Sequence, residues 1–182
     1  MEYFDILDEN GNKTGETKLR EQVHSDGDWH KAVHIWIIND KNELLLQKRS
    51  PDKDSNPNMW DISSAGHLSA GDGSLEGAVR EFTEELGIDV TKEQFEYLFT
   101  IKKSSKYTAT FINNEFNDVY LIKLNLDLSK LELQEEEVSE VRFIYYKKLE
   151  QMVKDKARGL LIHQEEYDKL FKVLHSRLDK EA

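Results

Sequence analysis

Apolar and polar positions along the chain change period several times, and each change predicts an element. Residues 3–7 (YFDIL) and 14–19 (TGETKL) flank Asp8-Glu9-Asn10-Gly11-Asn12, a turn-forming run, and together predict a small hairpin. Arg20 to Asp28 is polar without periodicity and is expected to be irregular. Ala32 to Ile38 is rich in Ile, Val and Trp and predicts a strand. The turn Asn39-Asp40-Lys41-Asn42 then leads to an antiparallel partner at Glu43 to Lys48. Residues 49–59 carry both prolines and predict a loop at the mouth of a site, followed by a short strand, Trp60 to Ser64. Past an amphipathic helix ending at Leu86, strands are expected at 95–101, 106–112 and 117–124, the last two separated by Asn113-Asn114. A final strand is expected at Val138 to Tyr145. Helices are predicted at Lys147 to Lys154 and at about 163–180. The second carries Tyr167, Leu170, Phe171, Leu174 and Leu178 at helical spacing, a stripe that suits a core or a subunit contact. Strands dominate with a helix between them, so the expectation is an α+β fold in one domain over 1–182, without repeats or a splitting linker.

Composition narrows the function. At 182 residues and 38% hydrophobic content the chain suits one globular core. Lys+Arg 25 against Asp+Glu 36 gives a net charge of −11, which argues against nucleic-acid partners bound through phosphate neutralisation. An anionic ligand in that field needs a metal or well-placed Arg and Lys. Cysteine is absent, which excludes disulfides, thiolate metal sites and a cysteine nucleophile and is compatible with the cytoplasm. The start, MEYFDILDENG, has no basic-then-apolar signal pattern, and no apolar run of roughly eighteen residues suggests a membrane span.

The richest stretch is Gly66 to Ile88, GHLSAGDGSLEGAVREFTEELGI. A loop with Gly66, Gly71 and Gly73 can turn sharply and approach a ligand. Ser74 is the expected N-cap, Glu76 suits the positive end of the helix dipole, and Gly87 is the expected left-handed stop. Leu75, Ala78, Val79, Phe82 and Leu86 form one apolar stripe. Glu81, Glu84 and Glu85, spaced i, i+3, i+4, cluster beside it, and Gly77 one turn earlier is expected to leave their face open. Clustered carboxylates repel, and Mg²⁺ or Mn²⁺ would relieve the repulsion while keeping positions for phosphate oxygens. The plain alternative is a solvated acidic face. Arg80 is expected to point elsewhere and to anchor the loop through a bidentate carboxylate contact.

This stretch resembles the Nudix box: a glycine, five residues, an acid, seven residues, then Arg-Glu-apolar-x-Glu-Glu-x-Gly-apolar. Gly66, Asp72, Arg80, Glu81, Phe82, Glu84, Glu85, Gly87 and Ile88 stand at those spacings, with Asp72 in place of the usual Glu. The resemblance implies an α/β/α sandwich around a mixed sheet and a metal-dependent hydrolase that cleaves a diphosphate linkage. Glu84 and Glu85 would hold Mg²⁺ or Mn²⁺, with Glu81 a further ligand, an orienter or the base. Arg80 completes the catalytic set.

The pieces LREQVH, WHKAVHIWIIN, LLLQKRS and MWDISSAGH look like the branch containing type I isopentenyl-diphosphate isomerase. In that branch histidines before the first long strand and in the box loop hold a metal. His24, His30 and His67 match, as a candidate second metal site or as groups that bond loop backbone or touch substrate. Arg20, Arg49 and Lys53 stand where that branch sets cations against the diphosphate, beside Gly66 and His67 as substrate-binding candidates. The isomerase needs a cysteine two residues before the loop histidine; Ala65 stands there, which disfavours isomerisation. A non-catalytic diphosphate-binding sensor is the other alternative, disfavoured by the intact glutamate triplet. Glu115, Asp118, Glu136 and Glu137 are candidate later acids, and His34 is read as structural. Trp29, Trp36, Trp60 and Phe116 could stack on a base or fill the core. The partner is a small-molecule diphosphate, and a homodimer through the sheet edge or the C-terminal helix is compatible with the pattern.

Overall fold

A computed structural model describes residues 1–53 and 55–179. Its strands are β1 (Tyr3–Leu7), β2 (Lys13–Leu19), β3 (Trp29–Ile38), β4 (Glu43–Arg49), β5 (Trp60–Asp61), β6 (Ser64–His67), β7 (Phe95–Lys106), β8 (Ile112–Lys123) and β9 (Val138–Tyr145). Its helices are α1 (Arg20–Asp26), α2 (Ser74–Leu86), α3 (Tyr146–Lys154) and α4 (Gln164–Leu178). Among the described residues all nine strands join one mixed sheet. β3 and β8 run parallel from Trp29↔Asn114 to Ile38↔Lys123, and the other pairings are antiparallel.

The twofold alternation of β3 divides the core. Trp36 and Ile38 pack with Leu149, Tyr167, Leu170 and Phe171 under α3 and α4. Val33, Ile35 and Ile37 face Ala78, Phe82 and Leu86 of α2. The result is an α/β/α sandwich, and the apolar stripes expected on α2 and α4 are the buried ones. No helix among the described residues is long and apolar enough to cross a membrane.

β3 and β4 pair only at Ile38↔Leu44 and then diverge. Residues 60–67 fill the fork: β5 lies on β4 (Gln47↔Asp61), and β6 lies on β3 (His34↔Ala65, Ala32↔His67). Ser63 sits at the crossover, accepting from Ile37 N–H at 2.9 Å and donating to the Leu45 carbonyl at 2.6 Å. One strand over 60–64 was the sequence expectation; the fork splits it in two.

Other expectations change. Arg20–Asp26 is helical, not irregular: it buries Val23 and His24 and stops at Gly27 in the left-handed region (φ 73°). Strand 106–112 and its Asn113-Asn114 break are replaced by a hairpin closed from Tyr107 N–H to the Phe111 carbonyl, with Asn113 and Asn114 inside β8. The β-prone YTATF run masked that turn. Gly73, not Ser74, caps α2, because the Ser74 hydroxyl donates to Asp118 (2.6 Å). Gly87 ends α2 at φ 66°, as expected. Gly77 does not open the glutamate face; a Cβ there would fall 2.0 Å from Leu68, so it admits that side chain. The end of the C-terminal helix expected at 180 falls outside the described residues.

One buried pair locks α4 to the sheet. Glu166 accepts from His34 Nδ1 at 2.7 Å and from the Trp36 indole N–H at 2.9 Å. Burial alone would lower the His34 pKa, but the Glu166 carboxylate reverses this and holds it raised. Burial pushes Glu166 up, and His34 more than offsets that, leaving it lowered. The raised histidine contributes stability that is full below its unfolded value of about 6.5 and is lost as pH rises through the folded value. The lowered carboxylate contributes stability that is full above about 4.3 and is lost as pH falls through its folded value. Glu166→Gln is therefore expected to cost about 3 kcal/mol in urea unfolding near pH 5.5 and less near pH 8.5. A pH-independent difference would show that the pair is not ionic.

Candidate active site

The open end of the fork is a cavity of about 480 Å³, reached by Ala32 and His34 of β3, Arg49, Asp61, Ala65–His67, and Glu81 and Glu84 of α2. The three box glutamates do not present equally. Glu84 is exposed, Glu81 is half-buried, and Glu85 is 3% exposed beneath β6, accepting from Ala65 N–H at 3.2 Å. Burial pushes the Glu85 carboxyl up to about 8 and also raises Glu81. Gly66 faces Glu81 so closely that a Cβ would fall 1.9 Å from its carboxyl carbon.

Arg80 does not point away from these acids. Its Nη1 lies 2.9 Å from Glu81 and donates to Glu84 at 3.1 Å, while Nη2 donates to the His67 carbonyl at 3.1 Å. Asp72, despite its shorter reach, comes within 3.6 Å of Arg80 Nη2, a single contact and not a bidentate one.

The structure brings His24, His30 and His67 together, with one ring nitrogen of each within 4.8 Å of the others. Nε2 of His24 and of His30 is buried without a hydrogen-bond partner, while His67 Nε2 faces Glu115. His30 Nδ1 faces the Asp28 carbonyl at 3.2 Å; a carbonyl only accepts, so Nδ1 carries the proton and Nε2 the lone pair. Phe4 stacks on both His30 and His67, with ring centroids 5.1 and 5.0 Å away. Burial, with His67 nearby, pushes His24 down to about 4 and His30 to about 3, so both are neutral at pH 7. Glu115 closes the group, 3.1 Å from His67 Nε2 and 4.0 Å from His30 Nε2. Burial pushes the Glu115 carboxyl up, but the imidazoles outweigh it and hold it well below the usual carboxylate range.

The later acids separate. Glu115, Glu136 and Glu137 reach the cavity. Asp118 points to the opposite face of the sheet, where Ser74, Thr100 and Lys31 hold it. Arg20, Arg49 and Lys53 line the cavity, each beside a carboxylate: Glu2 (3.0 Å), Asp61 (3.4 Å) and Glu137. Trp36 is core, Trp60 lies under Arg142, and Trp29 and Phe116 are tilted against each other with the Lys102 ammonium over both rings. The aromatic rings on the cavity are instead Tyr107 and Phe111, stacked at 5.3 Å in the hairpin turn. Asp61, Lys103 and His163 also line it, joined by hydrogen bonds that the sequence gives no motif to find.

A family model described as a NUDIX domain matches residues 28–163. The chain belongs to the Nudix hydrolase family. It is 46% identical over 182 residues to Nudix hydrolase 3 of Arabidopsis thaliana, covering 97% of this chain but only 24% of that protein. An uncharacterized Nudix hydrolase of Listeria monocytogenes is 38% identical over 154 residues, 82% of this chain and 83% of its own length. Fainter similarity reaches an isopentenyl-diphosphate Delta-isomerase of Pectobacterium atrosepticum, 28% identical over 63% of this chain and 62% of that one, in keeping with the branch read from the sequence. The crystal structure of DR0079 from Deinococcus radiodurans superposes with a TM-score of 0.70 at 19% identity, covering 94% of this chain and 98% of that one, which speaks for the fold alone.

In this Nudix box, Gly66→Ala collides with a movable carboxylate and not with backbone. The expected result is a protein that unfolds within about 1 kcal/mol of wild type in urea. If Glu81 is a metal ligand, its displacement should lower Mn²⁺ affinity about tenfold or more. Unaltered Mn²⁺ titration would remove Glu81 from any metal site.

Proposed function

We propose that the cavity is the active site of a metal-dependent hydrolase that cleaves the diphosphate linkage of a nucleoside-diphosphate-type or other organic diphosphate. The carrying observation is that Glu81 and Glu84 share one cavity with Arg20, Arg49 and Lys53, in a chain whose net charge of −11 would otherwise repel such a ligand. Glu81, Glu84 and Glu85 are hard oxygen donors suited to Mg²⁺ or Mn²⁺, and a cation beside buried Glu85 would offset the burial that raises its carboxyl. Bound to these carboxylates, a divalent cation would supply charge neutralisation at phosphate and a lowered pKa for the attacking water.

The protein's own residues do the rest. Arg49 and Arg20 present planar donors to phosphate oxygens, and Lys53 adds a mobile charge. Arg80 keeps the glutamates and the loop in register through its contacts with Glu81, Glu84 and the His67 carbonyl. As water oxygen bonds to phosphorus and the bridging P–O bond breaks, a carboxylate takes the water proton. Glu81 is half-buried in the cavity wall with its pKa raised, which suits that role. Glu84→Gln is expected to lower phosphate or monophosphate release at least about a hundredfold without altering the urea midpoint. EDTA should abolish release and Mg²⁺ or Mn²⁺ restore it. Unchanged turnover in the variant would take Glu84 out of the mechanism.

The same reading extends to a second cation at His24, His30, His67 and Glu115. The His24 and His30 imidazoles, neutral and with unpartnered Nε2 atoms, form with His67 and the ionised Glu115 carboxylate a donor set for Zn²⁺, Mn²⁺ or Fe²⁺. Elemental analysis after dialysis against limiting metal is expected to find one equivalent fewer in His24→Asn than in wild type. Equal content would leave the imidazoles as packing groups.

A further inference from the structure

Asp118 is buried on the face of the sheet away from the cavity, so it takes no part in the chemistry there. Its carboxylate gathers three elements. The Lys31 ammonium of β3 lies 2.8 Å from Oδ2, and the Ser74 hydroxyl of α2 donates to Oδ2 at 2.6 Å. The Thr100 hydroxyl of β7 donates to Oδ1 at 2.6 Å. A carboxylate only accepts, so the Ser74 proton is committed to Asp118 and the Tyr120 hydroxyl, 2.8 Å away, donates to Ser74 Oγ. By the same count the Tyr97 hydroxyl donates to Thr100 at 2.8 Å. Both hydroxyl chains run to Asp118.

Ser74 is the first residue of α2, and Glu81, Glu84 and Glu85 follow on the same helix of 13 residues. The i→i−4 hydrogen bonds of an α-helix make it one unit along its axis, so a shift at Ser74 is passed to the glutamates. Ala78, Phe82 and Leu86 hold α2 against the sheet, but apolar contacts are non-directional and permit sliding. Directional ties mark the two ends. Gln134 N–H donates to the Glu85 carbonyl at 3.1 Å, and Ser74 is tied to Asp118. Little slack is available between them, since Glu81 fills the space that a Cβ on Gly66 would take, 1.9 Å from its carboxyl carbon.

We propose that Asp118 is a positioning residue for the box glutamates. Acting through Ser74 from the far face of the sheet, it sets where α2 lies along its axis and so where Glu81 and Glu84 stand in the cavity. Lys31 and Thr100 hold the carboxylate in place for that contact. The inference rests on the reading of Glu81 and Glu84 as hydrolytic machinery, and adds a residue that touches neither metal nor substrate.

Ser74→Ala removes the oxygen that links α2 to Asp118 and leaves Lys31 and Thr100 on the carboxylate. Kinetics are read at saturating Mg²⁺ with the diphosphate that wild type hydrolyses fastest, and Mn²⁺ binding by calorimetry. The variant is expected to lose about tenfold in kcat and about tenfold in Mn²⁺ affinity. KM should stay within about twofold, because Arg20, Arg49 and Lys53 stand outside α2. Ser74→Thr keeps the hydroxyl and should restore both losses. Adding Ser74→Ala to Asp118→Asn should cost little more than Asp118→Asn alone, since both cut one path. A crystal structure of Ser74→Ala should show α2 displaced along its axis by about 0.5 Å or more. A merely structural role would lower the active fraction, so kcat and Mn²⁺ stoichiometry would fall together at unchanged Mn²⁺ Kd; that result, or fully additive losses, would overturn the proposal. An α2 unmoved in the Ser74→Ala structure would overturn it whatever the kinetics. A wild type that hydrolyses no diphosphate would sink the hydrolase reading, and the Mn²⁺ Kd and the helix position would still decide the role of Asp118.

Discussion

The site depends on one hydroxyl at a fork. β3 and β4 touch at Ile38↔Leu44 and separate, and a separating pair of central strands exposes unpaired backbone unless something enters between them. Residues 60–67 enter, and Ser63, fully buried, binds both sides through Ile37 N–H and the Leu45 carbonyl. With that crossover fixed, Asp61 must lie on the β4 side and Ala65 to His67 on the β3 side. The cavity is the space the crossover leaves open. Gly66 then turns its bare Cα toward α2, where Glu81 occupies the position a side chain would have filled. Backbone pairing sets β6 beside β3, and the apolar packing of α2 on β3 brings the acid helix to them.

Electrostatics explains why the acidic chain still forms cationic positions. Arg20, Arg49, Lys53 and Arg80 each stand beside at least one carboxylate. Pairing fixes their heads at modest cost, because exposed pairs are worth little and exchange partners readily. An incoming phosphate competes for guanidiniums already oriented, so less rotamer freedom is lost on binding. Arg49 differs, since Asp61 is buried and bound by His163 as well. Arg49 has the least exposed side chain of these cations, and the Ser55 carbonyl accepts from it at 2.9 and 3.1 Å.

How much of this was legible follows from whether the signal is local. β1, β9 and the C-terminal stop of α2 could be read because their pattern and caps lie within the element: Val138–Tyr145 matches its expected bounds and Gly87 its expected φ. α1 was missed because only Val23 and His24 of its seven residues are buried, too few for a period, although Gly27 marked its end. The box glutamates and the three histidines were found by spacing and family likeness. Their unequal burial was not, since it depends on β6 lying over Glu85. Asp118 was grouped with Glu115 as a later acid, but three positions apart on a strand means opposite faces. The Lys103–His163–Asp61 contacts join residues 60 and 102 positions apart, a separation at which no local pattern operates.

The same geometry bears on oxygen against carbon chemistry. Ala65 faces the cavity as the cross-strand partner of His34, at the position where isomerases of the similar branch carry their cysteine. A methyl group cannot move a proton to or from an allylic carbon, and the chain has no thiol to replace it. The groups around Ala65 are imidazoles, an ammonium and carboxylates, which stabilise charge on oxygen and pair with oxygen donors and acceptors. Here His34, Asp61, Lys103 and His163 line the cavity beside Ala65, so the departure at residue 65 comes with polar neighbours. Without a thiol at residue 65, the proposed reaction is at phosphorus, beside the box glutamates, rather than at carbon.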